Sequence, residues 1–248
     1  MRVTVWNENV HEKTEPESVL AVHPRGLHET VADIIREIPG AQVTVATLDM
    51  PEAGLPDEVI DNTDVLVWWG HCAHSLVPDE IVEKLHKRVL MGMGLIALHS
   101  AHYSKIFTKL MGTSCSLRWV DGVYERLFCV NPSHPIAEGI PLHFELGIDE
   151  CYSEYFDIPQ PDELIFTGWF DNGAMFRSGC VWTRGYGKVF YFQPGHETNR
   201  SFYTPYVRRI IQNACVWAAP RTMRESISSP QISVNLEETR RSGEQPAK

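Results

Sequence analysis

Histidines follow three apolar segments of this chain, each close to the point where the segment ends. The segments and their histidines are 65–69 with His71, 94–98 with His99, and 188–192 with His196. Short apolar runs without polar alternation are typical of parallel strands that are buried on both faces. Ligands in open α/β sheets bind beyond the carboxyl ends of such strands. We therefore expect the three imidazoles to meet at one edge of a sheet.

Imidazoles that meet in this way predict a metal centre. Imidazole suits zinc, manganese and iron, and a site with an open coordination position suits catalysis. The sequence thus favours a divalent metal held by His71, His99 and His196, with Glu197 or Glu150 as a further ligand or a general base. The chain has no HExxH motif, so the prediction depends on the fold. The alternative is a set of hydrogen-bonded histidines that bind a polar ligand without metal.

Other polar residues lie at the same predicted strand ends. Asn7 and His11 follow the first strand and are candidates for contacting a ligand, although such residues also form turns. His74 and His102 lie a few residues beyond the first two of the three histidines. We expect them to contact the ligand or to support the other imidazoles. Ser100 is a candidate nucleophile, with the histidine after the last strand as its base.

The elements that position these residues alternate between strands and helices. Predicted strands at 3–6, 42–48, 65–69 and 94–98 are separated by segments with apolar residues at helical spacing, of which 78–89 is the clearest. This alternation predicts an α/β fold, a three-layer sandwich with a mostly parallel central sheet and helices on both faces.

The strand and helix alternation lapses between residues 112 and 161. We interpret this stretch as an elaboration over the carboxyl edge of the sheet, since it is too short to bury a core of its own as a second domain. Further strands and a last helix complete a predicted domain of residues 1–220. Residues 221–248 are polar, charged and poor in aromatic side chains, so we expect a flexible tail.

Composition limits the partners of the chain. It has 248 residues and a formal net charge of -10 without a run of lysine or arginine, which argues against nucleic acid and anionic membranes. No apolar stretch is long enough to span a bilayer, and residues 1–6 are typical of a strand, not of a secretory signal. Six cysteines without a CxxC pair favour a cytoplasmic protein with reduced thiols. Aromatic-rich edges such as Trp169-Phe170 favour a homo-oligomer.

Four short motifs occur in order between residues 2 and 219. They are Trp68-Trp69-Gly70-His71, Gly94-Leu95-Ile96-Ala97-Leu98-His99-Ser100, Asp149-Glu150-Cys151-Tyr152, and Gly187-Lys188-Val189-Phe190-Tyr191 followed by Gly195-His196-Glu197. In this combination the chain resembles the ThuA-like proteins associated with the utilisation of trehalose and other disaccharides. The resemblance implies a fold like that of class I glutamine amidotransferases, a flavodoxin-like variant.

The chain departs from the amidotransferase pattern at the nucleophile. In those enzymes a sharp turn after a strand carries a cysteine, and a His-x-Glu pair follows later. Here the turn contains His99-Ser100 and no cysteine, and the later pair is His196-Glu197 without a spacer. Glutamine hydrolysis through a thiolate is therefore not expected.

The resemblance also implies a sugar substrate, because ThuA-like proteins occur with oxidoreductases that make 3-keto sugars from disaccharides. A ketone at C3 acidifies the proton at C2, so a base can remove it. We expect enolisation, then elimination or isomerisation, with Glu150, His196 and Glu197 as base and acid and Tyr152 as donor to a sugar oxygen. No nucleotide cofactor is expected. The alternatives are a non-catalytic sugar-binding or regulatory module and a hydrolase that uses Ser100.

Overall fold

The computed structural model describes residues 1–229 of the chain. In that range nine strands form one sheet: β1 (Arg2–Asn7), β2 (Gln42–Thr47), β3 (Val65–Trp69), β4 (Gly94–Leu98), β5 (Arg118–Cys129), β6 (His143–Ser153), β7 (Glu163–Phe170), β8 (Met175–Arg184) and β9 (Gly187–Phe192). The α-helices are α1 (His11–Thr14), α2 (Pro16–Val22), α3 (Leu27–Arg36), α4 (Asp57–Asp61), α5 (Asp79–Met91), α6 (Lys105–Met111) and α7 (Pro205–Ala218). Across the sheet the strand order is β2-β1-β3-β4-β9-β8-β7-β5-β6.

One half of the sheet is parallel and the other half is antiparallel. The neighbours from β2 to β9 pair in parallel, whereas each neighbouring pair from β9 to β6 is antiparallel. The α/β class is confirmed, but a mostly parallel sheet is not. The connections give the reason, because β7, β8 and β9 are joined by turns of a few residues. A parallel neighbour needs a long crossover, so such short turns allow only antiparallel pairing.

The parallel half has the strand order of flavodoxin-like folds, with helices on both faces. Leu85 of α5 and Phe107 of α6 belong to the core on one face. Ile35 of α3 and Ile211 of α7 belong to the core on the other face. Every residue of β3 and β4 is buried, which accounts for their unbroken apolar sequences.

The predicted elaboration, residues 112–161, joins the sheet instead of covering its edge. β5 pairs with β7 on one side and with β6 on the other, so the two strands extend the sheet. The C-terminal end of β6 lies beside the carboxyl end of β4. There the ring of Tyr152 stacks on His99 with 4.9 Å between the ring centroids. The elaboration thus contributes side chains to the edge where the parallel strands end.

The last residues of the described range contact the domain. The backbone N–H of Arg224 donates to the carbonyl of Met91, and the Cζ atom of Arg224 lies 4.3 Å from the ring centroid of Tyr186. The rest of the predicted tail, residues 230–248, lies outside the described residues. Among residues 1–229, no helix combines the length and the hydropathy needed to cross a membrane.

Candidate active site

The three predicted histidines lie together at the carboxyl edge of the parallel strands. His71, His99 and His196 follow β3, β4 and β9, which are neighbours in the sheet. Their ring centroids are 5.5 Å to 6.0 Å apart in all three pairs. The chain turns sharply at His99, whose φ of +53° lies in the left-handed region that residues other than glycine rarely adopt. Adjacent strands thus bring together imidazoles that are far apart in sequence.

Three groups of described residues could hold a metal ion: Glu8, His11 and Cys72; His11, His71 and Glu197; and His71, Glu150 and His196. The third group contains two of the three predicted histidines, with Glu150 in the place of His99. One ligand atom from each of His71, Glu150 and His196 lies within 4.8 Å of the other two. His99 donates from Nδ1 to the carbonyl oxygen of Gln193 at 2.7 Å, and its Nε2 lies 2.8 Å from Oε2 of Glu150. Both ring nitrogens of His99 therefore have partners within the protein, and its imidazole acts on the site through Glu150.

His99 and Glu150 form a buried ion pair. Burial lowers the pKa of His99, but the contact with Glu150 and the charges of Glu150 and Asp149 outweigh it and raise the pKa to about 9. Burial raises the pKa of Glu150, whereas the contact with His99 and its charge hold that pKa below the usual value. Both groups therefore carry their charges at neutral pH.

This ion pair predicts that the metal-free protein loses stability in mild alkali. Because folding raises the pKa of His99 from an unfolded value near 6.5 to about 9, the stabilisation is complete below the unfolded pKa and is lost as the pH rises through the folded one. The complete loss amounts to about 3 kcal/mol. Urea unfolding across this pH window measures the decline. The His99→Gln variant should lack the decline, and an equal decline in that variant would contradict the assignment to His99.

Glu197 connects His71 with a further histidine. Its carboxylate accepts a hydrogen bond from Nδ1 of His71 at 3.0 Å and lies 3.2 Å from Nδ1 of His11. Burial raises the pKa of Glu197, but the hydrogen bond from His71 and the charges of His196 and His71 lower it to about 2. A carboxylate with so low a pKa is a weak base. It is better suited to orienting two imidazoles than to the predicted role of general base.

Glu8 fixes the turn that carries His71, a role that the sequence did not indicate. This carboxylate is 1% exposed and accepts hydrogen bonds from the backbone N–H groups of Cys72 and Ala73, each at 2.9 Å. A carboxylate that accepts two backbone bonds inside the protein holds the turn firmly. The only sequence signal is an acidic residue directly after a buried strand, which also occurs in ordinary surface loops.

Asp149 fixes the loop that carries His196 and Glu197, and it too is absent from the predicted site residues. It is completely buried. Its two oxygens accept hydrogen bonds from the backbone N–H groups of Glu150, Gly195 and His196 and from the side chains of Asn199 and Ser201. The Asp-Glu pair in the third sequence motif was the available signal, but nothing in the sequence distinguished the roles of its two carboxylates.

Tyr152, His102 and Ser100 lie below the surface of the site. The hydroxyl of Tyr152 is 3.3 Å from Nε2 of His99. His102 donates from Nδ1 to the carbonyl of Cys115 at 2.7 Å, and burial lowers its pKa to about 3. A neutral, buried imidazole with this partner is a packing residue rather than a ligand contact. The hydroxyl of Ser100 is buried and has no hydrogen-bond partner among the described residues.

Asn7 and His74 lie beside the site rather than in the group of potential metal ligands. Asn7 is completely buried, and its side-chain oxygen accepts a hydrogen bond from the backbone N–H of Asn9, as in a turn. Burial lowers the pKa of His74, with the nearby charge of Glu8 acting in the opposite direction. Its ring lies 6.4 Å from that of Tyr103, measured between centroids.

The fold and the site together define an α/β protein with a histidine and carboxylate centre at the carboxyl edge of its parallel strands. A sequence model of the family described as "ThuA: Trehalose utilisation" matches residues 2–218. The chain belongs to this family, so the resemblance carried by the four motifs is confirmed. None of the curated proteins that were compared matches the chain.

Solved structures with the same fold include two bacterial proteins of comparable length. A putative ThuA-like protein from Parabacteroides merdae has 14% identity and a TM-score of 0.68, over 91% of this chain and 92% of that one. Cytoplasmic protein STM3548 from Salmonella typhimurium has 15% identity and a TM-score of 0.60, over 89% of this chain and 100% of that one. A β-galactosidase from Bacillus circulans has 11% identity and a TM-score of 0.54, over 88% of this chain and 31% of that one. At these identities the similarity concerns the fold alone.

Proposed function

We propose that this protein is a metal-dependent enzyme that moves a proton on a keto-disaccharide or a related sugar. The observation that carries the proposal is the approach of ligand atoms from His71, Glu150 and His196 to within 4.8 Å of one another. They lie at the edge of an α/β sheet where ligands bind. Two imidazoles with a carboxylate are a donor set that suits zinc, manganese or iron.

The charges around the site support a bound cation. Glu8, Asp149, Glu150 and Glu197 are all buried, and within residues 1–229 none of them forms an ion pair with a lysine or arginine. The cationic ring of His99 offsets one negative charge. Oε2 of Glu150 is buried, and its 2.8 Å contact with Nε2 of His99 is an ion pair without hydrogen-bond alignment. Because unpaired buried charge is costly, the residues present fit a divalent ion that offsets the remaining negative charge.

In this proposal His11 and Glu197 carry out the proton transfer. His11 lies 5.0 Å from His71 between ring centroids, with Glu197 beside its Nδ1. Its imidazole takes the proton from the carbon next to the ketone, and the anionic Glu197 stabilises the imidazolium that results. In an isomerisation the imidazolium returns this proton to the former carbonyl carbon, and the hydroxyl proton of the carbon that was deprotonated passes to the oxygen of the former carbonyl. In an elimination the bond between the anomeric carbon and its leaving oxygen breaks, and the imidazolium gives the proton to that oxygen. When bound, a divalent ion supplies a Lewis acid that stabilises negative charge on a sugar oxygen.

The family description, trehalose utilisation, supports a disaccharide as the substrate class. A keto form is proposed because the C–H groups of an unoxidised sugar are too weakly acidic for an imidazole base. A carbonyl next to the C–H bond delocalises the negative charge and brings the acidity into range. The keto group therefore follows from the proton-transfer chemistry that the site offers.

The test combines metal analysis with proton exchange. Purified protein is analysed for bound metals, and 3-keto-trehalose is then incubated with it in deuterium oxide while NMR follows the C2 proton. We expect about one ion per chain. Exchange should stop after chelation and resume when the metal is returned. Exchange that continues at the same rate in the chelated protein would remove the metal from the mechanism. Binding without any exchange would favour the non-catalytic module.

Ser100 provides the test that separates this proposal from a serine hydrolase. Its hydroxyl has no hydrogen bond to an imidazole among the described residues. We expect Ser100→Ala to keep its exchange rate within about twofold of the unmodified protein, since no activated nucleophile is removed. The measurement is the same exchange assay, with release of sugar monitored in parallel. Loss of both activities in a variant that still folds would instead support the hydrolase.

A further inference from the structure

The first residues of β5 and the last residues of β6 form a two-stranded ribbon beside the site. Residues 118–120 and Val123 of β5 pair with β6, whereas the pairing of β5 with β7 begins only at Glu125. In the ribbon Trp119 lies directly opposite Tyr152. Opposite residues of antiparallel strands point to the same face. Because Tyr152 stacks on His99, Trp119 belongs to the ribbon face that is turned toward the site.

Trp119 differs from most tryptophans of this chain in its exposure. Its relative exposure is 62%. Four tryptophans are almost completely buried: Trp6, Trp68, Trp69 and Trp182. Leaving an indole of this size in water forgoes a large gain from burial. An indole exposed next to a polar site has a flat apolar face available for a ligand.

Asp121 lies in the irregular part of the ribbon and is directly at the site. Its Oδ1 atom lies 3.9 Å from Nε2 of His196, while its side chain is 68% exposed. The ladder between β5 and β6 is irregular between Val120 and Val123, and Gly122 has a φ of +73°. This irregularity is a bulge, which can re-aim a side chain toward a site. An exposed carboxylate and an exposed indole therefore stand two positions apart at the rim.

We propose that Trp119 and Asp121 form a subsite for the second sugar ring of a disaccharide, the ring that does not react. The proposal rests on the sugar substrate proposed above. The apolar C–H face of a pyranose packs on the indole, and its hydroxyl groups donate to the carboxylate of Asp121. An aromatic platform with a few polar groups is the usual form of a site that binds such an amphipathic ligand. The subsite therefore selects disaccharides over single sugars.

The test uses trehalose and glucose, neither of which has the ketone needed for reaction. Isothermal titration is expected to show tighter binding of trehalose than of glucose. Trp119→Ala should raise the Kd for trehalose about fivefold to tenfold and leave the Kd for glucose unchanged. Trp119→Phe should restore most of the lost affinity because it keeps an aromatic face. Tyr186→Ala is the control, since Tyr186 is an exposed aromatic residue, 57% exposed, outside the ribbon.

Two outcomes overturn the subsite. They are equal trehalose affinity in Trp119→Ala and the unmodified protein, and no trehalose binding by the unmodified protein. The failures of the two proposals can be told apart. If 3-keto-trehalose exchanges its proton but Trp119→Ala binds trehalose normally, only the subsite is wrong. If trehalose binding depends on Trp119 but no exchange occurs, the subsite stands and the enzymatic proposal is wrong.

Discussion

Replacement of His71 by alanine is expected to abolish both stable metal binding and proton exchange. Removing one of three protein ligands leaves Glu150 and His196, and two donors hold a divalent ion weakly. The Lewis acid contributes several kcal/mol of charge stabilisation, so the exchange rate should fall about 10³-fold or more. His196→Ala should have the same effect, because its ligand atom belongs to the same group. Metal analysis and the exchange assay measure the two losses.

His143→Ala is the matched control for this prediction. His143 is exposed and begins β6, at the opposite end of that strand from Glu150 and Tyr152. The control should keep its metal and its exchange rate. We expect the His71→Ala protein to remain folded, because His71 is partly exposed and belongs to neither apolar core. A folded His71→Ala protein that retains a full complement of metal would contradict the proposed ligand set.

Asp149→Asn is expected to cause the largest loss of stability of any single polar substitution at this site. The aspartate is completely buried and accepts hydrogen bonds from five donors, three of them backbone N–H groups. An asparagine has one acceptor oxygen, and its NH₂ group would face backbone N–H groups, which cannot accept a hydrogen bond. The free energy of unfolding should fall by about 3 to 5 kcal/mol. Urea denaturation at neutral pH measures the change.

The same substitution should also weaken the metal site, because Asp149 holds the backbone of His196. We expect the metal affinity of the folded variant to fall about 10-fold to 100-fold, the range seen when groups supporting a ligand are lost. Asp171→Asn is the control, since this aspartate is exposed and its side chain has no ion pair or hydrogen bond among the described residues. Loss of stability without any loss of metal affinity would show that Asp149 supports the loop but not the geometry of the ligands.

The sequence alone determined the central strands and the sheet edge at which the three histidines meet. The unbroken apolar segments that became β3, β4 and β9 required burial on both faces, and such strands lie in the interior of a sheet. Once these strands are neighbours, the histidines that follow them must meet at the carboxyl edge. This inference needs only the apolar segments of one sequence and the rule that neighbouring parallel strands end at the same edge of the sheet.

The tertiary structure alone decided how the polar groups are paired. Asp149 and Glu150 are consecutive in the chain, yet one holds a loop and the other faces His99. Glu8 contacts a turn that is 64 positions away in sequence. Hydrogen bonds and ion pairs depend on distances of a few ångströms and on direction, which the packing of distant segments sets. Hydrophobic periodicity records which residues are buried, but it carries no information about which buried acid meets which donor.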